Sequence, residues 1–250
     1  WGLLALHKGG MASHGGIIGL IVACILFAKR YNLNTLTLLD LTTIGGTAGI
    51  FLGRIANFIN GELLGRIAPP DYKLAVKFPT EITSWPIVAR ERLPLLDKTV
   101  EAIGIDRATW FSYIDRGDIR QLERILTLIV ERVQDGSQII LNLLFPTIPG
   151  RYPSQLFEAF LEGFAILAIL LILWRVPRRP GFIAGAFFII YPLARFIGES
   201  YRLPDIGIGF QMFGLTRGQW LSVFMVIFGG IFALLSSRSS VKKIGGWGAV

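Results

Sequence analysis

The sequence has 250 residues, of which 52% are hydrophobic and only 17% are charged. An ordinary soluble domain carries about 25% charged residues, so this composition favours a membrane protein. The formal net charge of +8 does not indicate nucleic-acid binding, because residues 66–151 hold twelve basic and eleven acidic side chains. The other basic residues flank or interrupt apolar segments, which is typical of membrane topology. We therefore expect no nucleic-acid partner.

Five segments are apolar enough to be candidate transmembrane helices. A span requires about 20 predominantly apolar residues. The candidates cover residues 15–28, 38–59, 156–174, 181–197 and 220–235. The sequence predicts an all-α integral membrane protein with about five transmembrane helices in this chain. The single cysteine, Cys24, lies in the first segment, where we expect it to be a packing residue.

Basic residues mark one end of these spans. They form three clusters, at Lys29 and Arg30, at Arg175, Arg178 and Arg179, and at Arg238, Lys242 and Lys243. Five alternating spans place all three clusters on the same side, which the positive-inside rule identifies as the cytoplasm. The polar residues 67–150 then form an extracytoplasmic insert. We expect the active site to divide between residues 1–66 and 151–250.

The insert contains one strongly amphipathic segment, near residues 118–133. Its apolar residues recur at helical spacing, with Asp118 as a candidate N-cap and Gly136 as a stop. We expect this helix to lie on the outer face or against the membrane-spanning part. Five prolines, Pro69, Pro70, Pro79, Pro86 and Pro94, predict that the first half of the insert is rich in loops. In the spans, Gly45, Gly49 and Gly53 predict close helix packing, and so do Gly229 and Gly230.

Charged and amide side chains interrupt the spans near their outer ends. Arg54 follows Asp40 by 14 residues, or about 21 Å of helix, which places it in the outer half of the bilayer. Arg195 and Glu199 are four residues apart, and Arg202 is seven from Arg195, so one helix face is expected to carry all three. Further polar residues at the same level are Asn57, Asn60, Glu62, Ser154, Gln155 and Glu158.

Charges inside a membrane are costly unless they face one another or a wet cavity. Guanidinium groups suit a phosphate, so the cluster predicts a phosphate-recognising cavity that opens to the outer leaflet. The nearest phosphate there is a phospholipid headgroup. The alternative is a set of buried ion pairs, for instance Arg54 with Glu199, that only hold helices together.

Four motifs then occur in order: MASHGGIIG at 11–19, GRIANFINGELLGR at 53–66, YPSQLFEAFLEG at 152–163 and YPLARFIGESYR at 191–202. With them the chain resembles the prolipoprotein diacylglyceryl transferase family over nearly its whole length, apart from the insert. The resemblance implies a multi-pass enzyme of the bacterial inner membrane with its active site toward the outer leaflet. Such an enzyme moves the diacylglyceryl group of phosphatidylglycerol to the lipobox cysteine of a prolipoprotein signal peptide. The products are a thioether and glycerol phosphate.

The resemblance implies no metal and no organic cofactor. The family usually has seven spans, so we expect two more before Trp1. A functional tyrosine of the family would lie in that part. By resemblance, the catalytic residues are His14, Arg54 and Arg195, with the arginines as phosphate ligands and His14 as the general base. The implied substrate-binding residues are Asn57, Asn60, Glu62, Gly65, Ser154, Gln155, Tyr191, Glu199 and Arg202.

Three positions depart from the family pattern. Tyr152 stands where the third motif usually has histidine, so a histidine role there does not apply. Ala56 replaces a common glycine and adds a methyl group, which we expect at a close contact. Phe157 replaces a tyrosine and removes a hydroxyl group. Gly61 and Gly65 are expected to let the chain turn out of the membrane.

Two other functions stay open from the sequence. The arginines could line the path of a non-catalytic lipid or anion transporter, although no inverted repeats are evident. They could also be helix clamps in a membrane scaffold. Within the enzyme reading, His14 could instead cap its helix or contact headgroups, and nearby cations could generate the thiolate without a base.

Overall fold

A computed structural model describes residues 13–203, 212–214, 217–238 and 240–246 of the chain. Within the helices, the side chains of residues 13–15, 17, 18, 212, 217, 218 and 221 lie outside this description. The α-helices are α1 (Ser13–Tyr31), α2 (Thr35–Asn60), α3 (Trp85–Val88), α4 (Asp97–Ala102), α5 (Arg107–Arg116), α6 (Ile119–Gln134), α7 (Gln138–Leu144), α8 (Ser154–Glu158), α9 (Ile166–Trp174), α10 (Phe182–Glu199) and α11 (Arg217–Arg238). Short 3-10 helices cover Pro79–Ser84, Arg90–Leu96 and Met212–Gly214, and a π-helical segment covers Ala159–Ala165.

All five predicted spans are helical, and the predicted all-α membrane class is confirmed. Three helices are long and apolar enough to cross a membrane by length and composition: Thr35–Asn60, Ser154–Trp174 and Phe182–Glu199. The apolar helix Ser222–Arg238 is shorter over its described side chains. Several side chains at the start of α1 lie outside the described residues. Among the described residues, three helices rather than the expected five are therefore long and apolar enough to span a membrane. The side chains of α1 and α11 are described only in part.

The chain divides into two compact units. The first consists of Trp1–Ile50, Glu162–Ala194 and Trp220–Val250, and the second of Phe51–Leu161 and Arg195–Gln219. These two units are defined by the contacts that residues make within each of them. The functional division into 1–66, 67–150 and 151–250 stays a prediction.

A buried carboxylate joins two helices of the first unit. Asp40 of α2 is fully buried and accepts hydrogen bonds from the backbone N–H groups of Gly181 and Ala184, each at 2.8 Å. N–H groups at a helix start have no partner within their own helix. Asp40 therefore caps α10 from a neighbouring helix.

Basic clusters gather at this same end of the first unit. The backbone of Arg178 exchanges two hydrogen bonds with Ile244, at 2.8 and 2.7 Å, which brings the second and third clusters together. The first cluster closes α1, just before the turn into α2 and Asp40. Asp40 in turn contacts Gly181, which follows the second cluster. The three basic clusters thus lie at one end of the first unit, as expected if they all face the same side of the membrane.

The glycines predicted to permit close helix packing have different surroundings in the described part of the chain. A Cβ atom at Gly229 would lie 2.7 Å from Cγ1 of Ile189, so this glycine does permit close packing of α11 on α10. At Gly45, Gly49 and Gly53, a Cβ atom would meet nothing within 4 Å among the described residues. The packed face of α2 in the first unit carries Thr47 instead, because the glycines lie on an exposed face. Cys24 is buried, as predicted.

The insert has a hydrophobic core of its own. The predicted amphipathic segment forms α6, which begins after Asp118, whose side chain accepts a hydrogen bond from the Gln121 N–H group at 3.2 Å. Its apolar face packs on other insert residues rather than on the outer surface of the spans. The buried residues are Ile82, Trp85, Leu93, Leu96, Val100, Trp110, Ile114, Leu122, Ile125, Leu126, Ile129, Val130, Ile140, Leu144 and Ile148.

The first half of the insert is a loop over residues 67–78, as predicted around Pro69 and Pro70, but short helices follow from Pro79 onward. Pro79 and Pro86 occupy first-turn positions of short helices, and Pro94 lies within a 3-10 helix. The first turn tolerates proline because its N–H group would have no helical partner there. These prolines therefore begin short helices instead of excluding them.

Candidate active site

The outer end of α2 turns away from the helix at a glycine. Gly61 has φ +66°, and its N–H group donates to the Phe58 carbonyl at 3.1 Å. This left-handed conformation favours glycine and ends the helix. A Cβ atom at Gly61 would also lie 2.4 Å from Oγ1 of Thr80. Gly61 thus makes the predicted turn.

Arg54 is paired with a glutamate of another span. Its Nη1 atom lies 3.0 Å from Oε2 of Glu158, and the two side chains are 14% and 1% exposed. The sequence had suggested Glu199 as an example of a partner, but the structure places Glu158 there. Glu158 ends α8 at the point where the helix widens into the π-helical segment. Such π-helical segments occur frequently at functional sites.

Arg195 and Glu199 form a second ion pair, with 3.2 Å between Nη2 and Oε2. The expectation that Arg202 continues this helix face is wrong, because α10 ends at Glu199. Tight turns follow, in which the Tyr201 N–H group donates to the Gly198 carbonyl at 3.0 Å. Arg202 is buried and lies in an isolated antiparallel bridge with Gly65.

The amides predicted near Arg54 bind the glutamate that follows them. Asn57 Nδ2 donates to Oε1 of Glu62 at 2.8 Å, and Asn60 Nδ2 donates to the same oxygen at 3.3 Å. The Glu62 N–H group donates back to the Asn57 carbonyl at 3.1 Å. These three residues therefore fix one another at the end of α2. Ala56 is exposed among the described residues, and the close contact expected for its methyl group stays a prediction.

Residues 61–66, the GELLGR loop, are held through their carbonyl oxygens by residues 151–155. Ser154 and Gln155, predicted to bind substrate, are fully buried in this support. Their substrate role stays a prediction. The contacts run from Gln155 Nε2 to the Glu62 carbonyl (2.7 Å), Ser154 Oγ to the Leu63 carbonyl (3.5 Å), Arg151 Nη1 to the Gly65 carbonyl (2.8 Å) and the Tyr152 N–H group to the Arg66 carbonyl (3.0 Å).

Gly65 permits a close approach of two chain segments. A Cβ atom there would lie 2.1 Å from the Tyr152 carbonyl oxygen and 3.2 Å from Oγ of Ser154. On the other side of the loop, the Leu203 N–H group donates to the Leu64 carbonyl at 3.0 Å. The sequence had explained Gly65 by a turn, whereas the structure requires it for this contact.

His14 and Tyr191 belong to the first unit. His14 lies in the first turn of α1, and its side chain is outside the described residues. The Tyr191 hydroxyl donates to Oε2 of Glu162 at 3.3 Å. Their predicted roles stay predictions.

Sequence reasoning missed the partners of the arginines. Glu158 was placed at the level of the site but not with Arg54, and Arg151 was not considered. A buried acid inside an apolar helix is itself a functional signal, so Glu158 and Glu162 could have been singled out. Tyr152, in place of the usual histidine, lies among aromatic rings, with centroids 4.8 Å from Tyr72 and 5.5 Å from Tyr201.

Apolar helices with arginine–glutamate pairs, in which the glutamates are buried and the arginines are mostly buried, define a polytopic membrane protein. The family model for prolipoprotein diacylglyceryl transferase matches residues 1–235. The chain belongs to this family, as the four motifs predicted.

Curated relatives support the assignment. All three described next carry the name phosphatidylglycerol–prolipoprotein diacylglyceryl transferase. The Bdellovibrio bacteriovorus protein is 49% identical over 99% of this chain and 72% of its own length. The Bradyrhizobium diazoefficiens protein is 34% identical over 96% of this chain and 64% of its own length. The Azospirillum brasilense protein is 36% identical over 90% of this chain and 61% of its own length. This chain therefore spans less than two thirds of the last two relatives. The names favour the transferase over the transporter and the scaffold.

Proposed function

We propose that the protein transfers the diacylglyceryl group of phosphatidylglycerol to the lipobox cysteine of a prolipoprotein signal peptide. The observation that carries this proposal is the presence of two ion pairs, Arg54–Glu158 and Arg195–Glu199, whose residues come from three of the four family motifs. Several charges buried in one membrane protein need a functional reason. Recognition of a phosphate headgroup provides one, because planar guanidinium groups match phosphate oxygens.

The reaction exchanges one bond for another. The cysteine sulfur attacks the glycerol carbon of the diacylglyceryl group, and a carbon–sulfur bond forms. The bond between this carbon and the phosphate oxygen breaks, and the electron pair leaves with glycerol phosphate. Arg54 and Arg195 stabilise the charge that develops on the leaving phosphate. Their glutamate partners hold each guanidinium in place.

The thiol proton must leave before or during the attack. His14 is the proposed general base, since a neutral imidazole with a pKa near 6.5 can accept it. Asn57, Asn60 and Glu62 shape the end of α2 beside Arg54, where they would contact the glycerol headgroup. Tyr191 and Arg202 complete the substrate residues carried over from the family.

We place the protein in the bacterial inner membrane, with its active site toward the outer leaflet. Support comes from the basic clusters that share one end of the first unit, which the positive-inside rule assigns to the cytoplasm. Phosphatidylglycerol then enters from the bilayer, and the signal peptide presents its cysteine from the same membrane.

The direct test combines full-length purified protein with phosphatidylglycerol and a lipobox peptide. Mass spectrometry should detect the peptide with a diacylglyceryl group attached, together with released glycerol phosphate. Arg195→Ala should lower turnover by about 10²- to 10³-fold while the protein stays folded. Arg120→Ala, a change at an exposed arginine of α6, is the matched control. Absence of the adduct with the unaltered protein would overturn the proposal, and a scaffold role would show as lost stability in Arg195→Ala.

A second experiment addresses the base. His14→Gln assayed between pH 5 and 9 should lower turnover and remove the rise in rate with pH that titration of a base produces. A variant with near-normal turnover and an unchanged pH profile would exclude His14 as the base. The thiolate would then arise from the field of the arginines, since nearby cations lower a thiol pKa.

A further inference from the structure

A buried ion pair connects the insert with the GELLGR loop. Arg151 Nε lies 2.5 Å from Oε2 of Glu81, and its Nη2 atom donates to Oε1 at 3.2 Å. Glu81 is 2% exposed and Arg151 8%. Glu81 also accepts a hydrogen bond from Nε1 of Trp85 at 3.2 Å. The pair is therefore bidentate, buried and anchored in the core of the insert.

The third guanidinium nitrogen of Arg151 points to the loop. Nη1 donates to the Gly65 carbonyl at 2.8 Å, so one side chain binds both the insert carboxylate and the loop backbone. A planar guanidinium has donors in a fixed fork, and fixing one edge with a carboxylate fixes the other edge too. The position of Glu81 thereby determines where the Gly65 carbonyl is held.

The loop is held by single backbone hydrogen bonds to separate segments, among them Leu203 N–H to the Leu64 carbonyl and Tyr152 N–H to the Arg66 carbonyl, and not by a strand ladder. Gly65 pairs with Arg202 in an isolated bridge, and Arg151 pairs with Ile67 and Val76 in two others. Isolated bridges lack the cooperative ladder of a sheet, so side-chain contacts such as that of Arg151 contribute to fixing their geometry. The same segment carries the proposed substrate residues Glu62 and Gly65.

We propose that Glu81 of the insert is a positioning residue for lipid transfer. It holds the Arg151 guanidinium on the Gly65 carbonyl and so keeps the GELLGR loop in register with Tyr152 and Arg202. This inference rests on the proposed function, and it gives the insert a role in the site. Glu81 touches no reacting atom; it acts only through Arg151.

The test uses Glu81→Gln in the full-length protein, because glutamine keeps the volume and one acceptor but removes the charge. We expect the KM for phosphatidylglycerol to rise about tenfold, since displacements of about 1 Å have effects of this order or more. The KM for the lipobox peptide should stay within about twofold. Arg151→Lys should raise the KM for phosphatidylglycerol to a similar extent, since a single ammonium nitrogen does not reproduce the forked donors of the guanidinium group. Asp97→Asn, which weakens the partly exposed Asp97–Arg107 pair of the same insert, is the matched control.

Hydrogen exchange separates positioning from general loss of structure. In Glu81→Gln, peptides covering residues 62–67 and 201–203 should exchange faster, because their N–H groups bond across the loop. The core helix α6 should keep its protection. Unchanged exchange in the loop would overturn the proposal, and so would equal loss of protection in α6. If the unaltered protein shows no lipid transfer, the proposed function fails, whereas the exchange result still decides the role of Glu81 in holding the loop.

Discussion

The insert and the membrane-spanning helices differ in the side chains that they bury and expose. The insert encloses large apolar residues such as Trp85, Trp110 and Leu126. The spans bury polar residues, among them Thr47 and Glu162, and expose leucine, isoleucine and phenylalanine. The difference reflects two solvents. Water drives apolar groups inward, whereas lipid is as apolar as leucine and leaves packing and polar contacts to join helices.

The Glu81–Arg151 pair departs from the pattern of the insert. It is a buried charged pair in a part of the molecule that otherwise excludes charge from its core. Replacing such a pair by apolar residues is often neutral or stabilising in soluble proteins. Its contact with the Gly65 carbonyl gives a reason for keeping it. Charge is thus buried where the insert meets the loop of the candidate site.

The strongest test of the comparison replaces one leucine in each region. Leu126→Ala in the insert core should lower the free energy of unfolding of the insert by about 2–5 kcal/mol, because it removes a fully buried side chain. Leu52→Ala in α2, where the side chain is 63% exposed, should have little effect. The fluorescence of the buried Trp85 and Trp110 reports unfolding of the insert. Equal losses from both variants would contradict the two-solvent explanation.

A smaller effect is expected at Gly65. Gly65→Ala forces a methyl group against the Tyr152 carbonyl and must displace the GELLGR loop. Turnover should fall by about 100-fold, or roughly 2.7 kcal/mol in activation free energy. The lipobox-peptide assay measures this. Gly45→Ala, at a helical glycine with open space around it, is the matched control and should leave turnover unchanged. Normal turnover in Gly65→Ala would show that the loop position is unimportant.

The next variant tests a polar contact inside the spans. Asp40→Asn keeps one acceptor for the start of α10 but turns an amide donor toward the other N–H group. We expect a loss of about 1–2 kcal/mol, since an N-cap and a buried hydrogen bond are weakened together. Thermal unfolding in detergent measures it, with Asn34→Ala as a second cap variant at the start of α2, where Asn34 accepts from the Thr37 N–H group. A stabilised Asp40→Asn would mean that the buried charge costs more than the cap contributes.

The smallest effect concerns an exposed cap of the insert. The Thr109 side chain and N–H group donate to Asp106, which lowers the pKa of this carboxyl from its usual value. A lowered folded-state pKa stabilises the insert fully above the unfolded value near 3.9, and this contribution is lost as the pH falls through the folded value. The difference in melting temperature between the unaltered protein and Asp106→Asn should therefore shrink below about pH 4. A difference that is independent of pH would exclude this linkage.

Local sequence patterns determined the helices and the family. Hydrophobic runs located five apolar helices, and helical spacing located α6 with its Asp118 cap, because each depends on residues near in sequence. The i, i+4 spacing also placed Arg195 beside Glu199. The four motifs sufficed to identify the transferase family.

Tertiary structure decided which distant groups meet. It paired Arg54 with Glu158, placed Arg202 beside Gly65 beyond the end of α10, and joined Glu81 to Arg151 across 70 residues. It also decided that the apolar face of α6 packs in the hydrophobic core of the insert. No local period encodes such contacts, since they depend on how separate segments pack and on which buried charges need partners.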